Sequence, residues 1–405
     1  MAPSSHPNRI VIHVAGVDRP GVTARLAQII AEENAQLVNI GQSVLHGYLT
    51  LSAIVDIPPN SNALRQVLFS ASELGLRLEV SKFEPAQITR PASVVPGLCV
   101  TVLGNLADGA AVASITREMA ERSMNITEIR SLSDEGLTGL ELIADLGDAV
   151  DVNDAELSAL RRMLLELGVS LGADLAVQRD DIFRRNKRLV CMDVDSTFVK
   201  GEFIDELAAL AGVKDRVAEI TARAMRGELD FKAALAERVK LLEGLSFDKA
   251  KKLSEQVELT PGADRFVKIL KRLGFRVGLV SGGFDFFVEA LKTRHGLDFA
   301  FSNELEVQNG VITGRVQGAV VDGERKAQVL KDMAKVYKVR LEQTVAIGDG
   351  ANDMLMLQTA GLGIAFRAKP KLQEVAHMSL NHHERLDTLL FLMGFAGRDL
   401  DTIAQ

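Results

Sequence analysis

Four short segments of this chain gather the residue types that phosphoryl-transfer chemistry uses. At 193–197 the order is Asp193-Val-Asp195-Ser196-Thr197. In an extended backbone residues i and i+2 project to the same side, so the two carboxylates can address one small site. Carboxylates that close repel each other unless a cation or a proton lies between them. Taken alone, the pair reads more readily as a strand end followed by a polar turn. The segment Gly348-Asp349-Gly350-Ala351-Asn352-Asp353 adds two carboxylates and an amide, with glycines that let the backbone approach a ligand closely. Hard oxygen ligands drawn from separate segments suit Mg²⁺, which keeps several waters and binds substrate phosphate. Ser281-Gly282-Gly283 offers a hydroxyl and unhindered N–H groups at a strand-to-helix turn, an arrangement suited to an anion. Lys326, in GERKAQVL, can add a compact positive charge, although a single lysine is most often a solvated surface residue.

These segments need strands that end together. RLVCMDVD, FRVGLVSGG and QTVAIGDGAND each run from β-branched residues directly into Gly, Ser or Asp. Continuous apolar strands of this kind belong in a parallel sheet covered on both faces, with polar residues gathered beyond the carboxyl ends. Between the first two edges lies a mostly helical stretch of some 60 residues, about 201–260, placed to cover a site at that edge.

Upstream the pattern differs. A strand at 9–15, a Gly/Pro-rich turn, a helix at 22–34, strands at 35–44 and 47–56, a helix at 62–75 and a strand at 76–83 spell βαββαβ. The order returns with a strand at 98–104, a helix at 113–125, a strand pair within 126–146 around Asp134-Glu-Gly, a helix at 153–167 and a strand at 170–178. PAQITRPASVVPG, holding three of the chain's ten prolines, reads as the linker between the copies. The expected partition is 1–90, 91–180 and 181–405, the last divided into a core (187–200 and 261–400) and the helical insertion.

Composition excludes several classes. At 405 residues with 47% apolar and 25% charged content, the chain can bury more than one core and is not a disordered polymer. The balance of 47 basic against 54 acidic residues, with no Trp and two Tyr, argues against nucleic acid as a partner. No apolar run approaches the roughly 20 residues of a membrane span. MAPSSHPNRI lacks the apolar stretch of a signal peptide, so a cytoplasmic address is expected. Cys99 and Cys191 sit in apolar runs and read as core thiols.

The order DxDST, SGG, Lys and GDGxND resembles the haloacid dehalogenase superfamily of phosphohydrolases. What the resemblance implies is a Rossmann-like parallel-sheet core and catalysis through an aspartyl-phosphate, with Asp193 as nucleophile and Asp195 as general acid and base. Mg²⁺ would be held by Asp193, the Asp195 backbone carbonyl and Asp349, with Asp353 one shell out. Ser281, Gly282, Lys326 and Asn352 would bind phosphate oxygens. Within that superfamily DVDSTFVKGEFIDELAALAG, AMRGELDFKAALAERVKLL and VSGGFDFF resemble the phosphoserine phosphatases. That implies phosphoserine as substrate, Glu202 as partner of its ammonium, Arg238 as partner of its carboxylate, and Met225 and Phe231 as apolar surface of the helical cap. Another ester, such as phosphohomoserine or a phosphoprotein, and a regulator whose phosphatase half is vestigial remain as alternatives. VIHVAGVDRPGVTARLAQII resembles an ACT domain, a ferredoxin-like βαββαβ module that binds amino acids. The tandem pair resembles the long, mycobacterial-type form of the family. It implies a serine effector near Asp18 and Asp108, which read equally as turn or capping residues, and a homodimer.

Overall fold

The computed structural model describes residues 8–84, 97–107, 109–133, 138–145 and 154–404. All of the expected linker at 85–97 except Gly97, and the turn at Asp134-Glu-Gly, lie outside the described residues. The chain divides into two compact units, Met1–Pro91 and Ala92–Gln405.

In the first unit the elements are β1 (Arg9–Val17), α1 (Val22–Glu32), β2 (Gln36–Leu45), β3 (Tyr48–Asp56), α2 (Ala63–Glu73) and β4 (Arg77–Lys82). They build an antiparallel sheet in the order β2-β3-β1-β4. Alternation does the sorting: Ile12 and Val14 of β1, with Leu49, Leu51, Ala53 and Val55 of β3, turn to one face. There they meet Val22, Leu26, Ile29 and Ile30, the apolar stripe of α1. Gly21, at φ 95°, makes the left-handed turn into that helix.

The second unit opens with the same plan: β5 (Leu98–Leu103), α3 (Ala110–Glu121), β6 (Asn125–Ser131), β7 (Gly139–Asp145), α4 (Asp154–Leu171) and β8 (Asp174–Arg179), in sheet order β6-β7-β5-β8. Several boundaries differ from expectation: α3 ends at Glu121 rather than 125, and the strand expected from 170 begins at Asp174. Helix α3 starts three residues early, directly behind Gly109 at φ 73°. Helix α4 runs past Gly168, which looks like a stop in the sequence. A Cβ there would stand 2.6 Å from the carbonyl oxygen of Ala173, so this glycine admits the backbone entering β8. The turn itself falls at Gly172, φ 62°.

The rest of the second unit is built on a seven-stranded sheet, order β12-β11-β10-β9-β13-β14-β15. Its strands are β9 (Leu189–Met192), β10 (Arg276–Phe284), β11 (Phe299–Gln308), β12 (Val311–Gln317), β13 (Thr344–Gly348), β14 (Leu362–Phe366) and β15 (Met378–Leu380). β9 lies between β10 and β13, parallel to both, and Met192 is in register with Leu279 on one side and Ile347 on the other. The chain therefore leaves the central strand towards opposite sides of the sheet at one point, where α/β folds open a crevice. Cys191 is fully buried in β9 and Cys99 in β5, and burial pushes the Cys99 thiol up to about 12.

Four helices, α5 (Phe203–Leu210), α6 (Lys214–Met225), α7 (Phe231–Lys240) and α8 (Phe247–Ser254), form the insertion between β9 and α9 (Ala263–Arg272). Its two ends are tied side by side: Lys200 N–H donates to Glu258 O, Thr260 N–H donates to Phe198 O, and Val199 bridges Leu259. Phe203 of α5 stacks on Phe287 of α10 (Asp285–His295), with ring centroids 4.0 Å apart. Burying one such ring contributes about 1.5–3 kcal/mol. Two further helices that flank the site are α11 (Gly323–Val336) and α12 (Met354–Thr359). No helix among the described residues is long and apolar enough to cross a membrane.

The second repeat docks its edge strand β8 against β15. Asp174, 4% exposed, accepts the N–H groups of Asn381 and His382 and the Nδ1 atoms of His382 and His383. Two side chains of that edge are thus committed to the core, since Gln178 also donates to Leu392 O at 2.9 Å.

Candidate active site

The β9 backbone delivers Asp193 to the floor of a cavity of about 870 Å³ beyond the carboxyl ends of β9, β10 and β13. Asp193 is 4% exposed, donates its N–H to Ile347 O at 2.9 Å, and accepts Val194 N–H on Oδ1 at 2.8 Å. After it the chain turns sharply. Ser196 has φ 55°, a left-handed conformation unusual for a residue with a side chain, and its N–H donates to Gly201 O. That turn presents Asp195 to the same cavity.

Lys326, with no exposed surface, rises from the first turn of α11 beneath the floor. Its Nζ stands 2.8 Å from Asp193 Oδ1 and 2.7 Å from Asp353 Oδ1. Burial works against its charge, yet Asp193 and Asp353 outweigh burial and hold the ammonium above its ordinary range. Burial, then the Asp353 carboxylate, lifts the Asp193 carboxyl well above the usual range, with Lys326 opposing. Asp349 is pushed up to about 6, by burial and then by Asp353. Burial also raises Asp195, while the Phe203 N–H works the other way.

Four carboxyl groups therefore share one buried lysine at the floor. Oxygens of Asp193, Asp349 and Asp353 lie within 4.8 Å of one another, a donor set of hard oxygens that fits a divalent cation. The three are not equivalent. Asp353 has Lys326 on Oδ1 and Gly350 N–H on Oδ2 at 3.1 Å, so both its oxygens already hold donors. Among the described residues the Asp349 carboxylate accepts only a long hydrogen bond, from Thr197 Oγ1 at 3.4 Å.

The middle edge is built differently from its sequence appearance. Ser281 is fully buried; its Oγ accepts Gly283 N–H at 2.8 Å and donates to Asp195 Oδ2 at 3.4 Å. Gly282 lines the cavity, and a Cβ on it would stand 2.8 Å from Phe231 Cζ, so the glycine makes room for the cap. Asn303, 1% exposed on β11, holds this loop: Nδ2 donates to Gly282 O and Oδ1 accepts Val321 N–H, both at 2.7 Å. The sequence reading missed Asn303; the signal available was a polar residue breaking the apolar character of FAFSNELEV.

From the insertion, Glu202, Phe231 and Arg238 face the same cavity. Although its surface is open to the cleft, the Glu202 carboxyl is pushed up to about 7, by desolvation from the cleft walls and then by Asp195 and Asp349. Arg238 is half-buried, its Nε donating to Ala234 O at 3.3 Å; burial pulls its pKa down while Glu202 opposes. Asn352 completes the wall, and Lys369, Lys371 and Asp205 line it without having been expected. Met225 ends α6, and its side chain lies outside the described residues. The structure brings Asp193, Asp195, Glu202, Phe231, Arg238, Gly282, Asp349 and Asn352 to one cavity, with Ser281, Lys326 and Asp353 packed behind them. Asp18 belongs to the other unit, exposed, its N–H donating to Gly47 O at 2.8 Å. Asp108 lies outside the described residues.

Comparison with known proteins agrees with this layout. Residues 187–361 match the haloacid dehalogenase-like hydrolase family, and residues 8–81 and 98–178 each match ACT domains. Over 396 residues the chain is 43% identical to the phosphoserine phosphatase of Mycobacterium tuberculosis, covering 97% of this chain and 94% of that one. The chain belongs to the phosphoserine phosphatase family. A second member of the family, from Streptomyces coelicolor, is 42% identical over 98% of this chain and 95% of its own. Among solved structures, a probable phosphoserine phosphatase from Vibrio cholerae superposes with a TM-score of 0.57 at 31% identity, covering 76% of this chain and 88% of that chain. A haloacid dehalogenase family hydrolase from Salmonella enterica serovar Typhi gives 0.63 at 28% identity over 73% of this chain and 98% of that one. As a phosphoserine phosphatase homologue with this core, the protein is a phosphoric monoester hydrolase with two ACT domains ahead of its catalytic half.

Proposed function

We propose that the protein hydrolyses O-phospho-L-serine to L-serine and phosphate, the last step of serine biosynthesis, through an aspartyl-phosphate on Asp193. The observation that carries this reading is the pairing of one acid, Glu202, with one arginine, Arg238, on the wall above the carboxylate floor. Phosphoserine bears an ammonium, a carboxylate and a phosphate on a three-carbon frame, and each then has a partner of opposite charge.

In the first step an Asp193 carboxylate oxygen attacks phosphorus and the bond from phosphorus to the serine oxygen breaks. Asp195 gives its proton to the departing alkoxide; the burial that raises its pKa supports its being protonated at that moment. Asp195 then takes a proton from the water that attacks the acyl phosphate, releasing phosphate and restoring Asp193. Ser281, Gly282, Lys326 and Asn352 hold phosphate oxygens. Mg²⁺ would be held by Asp193, the Asp195 carbonyl and Asp349, where it would supply the charge that lets a carboxylate approach a phosphate dianion. The occupied oxygens of Asp353 support an outer position for that residue.

The proposed domains are 1–90, 91–180 and 181–405, with the cap at about 201–260. The ACT repeats bind serine near Asp18 and Asp108 and pair the chain as a homodimer. In support of pairing, β2 is an edge strand that leaves Leu37, Val38, Ile40 and Val44 exposed. Phosphate release from phosphoserine with Mg²⁺, with and without serine, tests this: turnover that serine alters supports the reading, and no turnover overturns it.

A further inference from the structure

Helix α7 presents one stripe to the active-site cavity: Phe231, Ala234, Leu235 and Arg238 recur at helical spacing and all line it. The position of this helix therefore decides where Phe231 and Arg238 stand above the carboxylate floor. Its C-terminal end is fixed against β12. Just beyond that end, Gly244 and Phe247 donate their N–H groups to Ile312 O and Gly310 O at 2.8 and 3.0 Å, and Ile312 N–H donates to Leu245 O at 2.9 Å. Gly314, at φ 79°, lets the strand close in, since a Cβ there would stand 3.2 Å from Lys240 Cα.

The N-terminal end is attached differently. Lys232 Nζ stands 2.9 Å from Asp322 Oδ2. Apart from Lys200–Glu258 at the base of the insertion, this is the only ion pair among the described residues that joins the insertion to the core. Helix chemistry does not account for the lysine: in the first turn of α7 its charge meets the positive end of the helix dipole. Asp322 divides its oxygens between two tasks. Oδ1 accepts Arg325 N–H at 2.9 Å and so caps α11, while Oδ2 meets Lys232. Lys326, whose Nζ holds Asp193, belongs to the same first turn of α11 and donates its N–H to Asp322 O at 2.9 Å. Beside the pair, Phe231 reaches Gly282.

We propose that Lys232 and Asp322 are positioning residues: their ion pair sets the N-terminal end of α7, and with it Phe231 and Arg238, against the helix that carries Lys326. They act through α7 rather than on the reacting atoms. The Lys232 side chain is 63% exposed, so water screens the pair and its effect is a few-fold rather than orders of magnitude. The consequence for phosphoserine rests on the partnership of Arg238 with the substrate carboxylate proposed above; the placement of α7 does not.

The test compares the full-length protein with Lys232→Met, Asp322→Asn and the double variant, and takes Lys232→Arg as the conservative control. Asparagine keeps an oxygen to cap α11 and loses the charge. Hydrogen exchange read by mass spectrometry reports on α7 directly. Amides in 234–238 should exchange about two- to fivefold faster in each single variant, no faster still in the double variant, and at the parent rate in Lys232→Arg. A lysine without a partner predicts the opposite sign for Lys232→Met, because its removal relieves the helix dipole. KM for phosphoserine should rise by the same two- to fivefold in each single variant, more than kcat changes. Exchange at or below the parent rate in either single variant, additive changes in the double variant, or an unchanged KM in an enzyme that hydrolyses phosphoserine overturns the proposal. A parent that leaves phosphoserine intact refutes the substrate reading alone, and the exchange rates still decide the pair.

Discussion

The Asp195 carboxylate accepts the backbone N–H of Phe203 at 2.7 Å, so one carboxyl group serves both the floor of the site and the first turn of the cap helix α5. Asparagine retains the acceptor and loses the titratable proton. Asp195→Asn should therefore leave the fold intact while lowering turnover roughly a hundred- to ten-thousand-fold. Asp195→Ala should lose about 1 kcal/mol of stability as well. Parallel kinetics and denaturant melts separate the two effects; equal turnover in Asp195→Asn and the parent contradicts the acid–base role.

Asn303 should matter although it does not line the cavity. Asn303→Ala leaves the buried Gly282 carbonyl and Val321 N–H without partners, a loss of about 1–3 kcal/mol. Because Gly282 belongs to the phosphate cradle, KM should rise as the loop loosens. Urea melts and steady-state kinetics check both; an unchanged melt shows that the loop holds its shape without Asn303.

Arg238→Ala should lower kcat/KM for phosphoserine by about ten- to a hundredfold, the worth of one charge-assisted bond, while sparing an aryl phosphate that has no carboxylate. Glu202 gives the matching pH dependence. With its pKa at about 7, its charge is lost as pH falls through neutrality. kcat/KM for phosphoserine should then fall faster with acidity than that for the aryl ester. Identical profiles, or equal losses on Arg238→Ala, remove these residues from substrate recognition.

Metal should show itself in stability. Asp349 at about 6 and Glu202 at about 7 keep their protons when folded at pH values where an unfolded carboxyl, at about 4, has released them. Through these two groups the folded state binds more protons than the unfolded one, so their contribution to the stability of the metal-free protein falls as pH rises from about 4 to 7. A cation at Asp349 favours the ionised carboxylate and removes part of that slope. The melting-point gain on adding Mg²⁺ should be larger at about pH 7.5 than at about pH 5. Thermal melts in Mg²⁺ and in chelator measure it, and the same gain at both pH values contradicts the assignment.

Much of this was legible where local pattern and chemistry coincide. Apolar runs ending in Asp193, Ser281 and Asp349 announce strands whose carboxyl ends meet, and the parallel registers of Met192 with Leu279 and Ile347 place those ends together. What stayed hidden depends on distant partners. Gly168 reads as a helix stop because its neighbour Ala173 becomes close only when β8 folds back. Asn303 shows its role only through Gly282 and Val321, some 20 residues away on either side. The docking of Asp174 on His382 and His383 joins residues 208 and 209 positions apart, with no periodicity to mark it.

The most direct measurement is phosphate release from phosphoserine in Mg²⁺ by the parent and by Asp193→Asn, alongside circular dichroism and a thermal melt of each. Turnover in the parent, none above background in Asp193→Asn and a folded variant are the predicted result. Undiminished turnover in a folded Asp193→Asn protein would contradict the nucleophile at the centre of the mechanism.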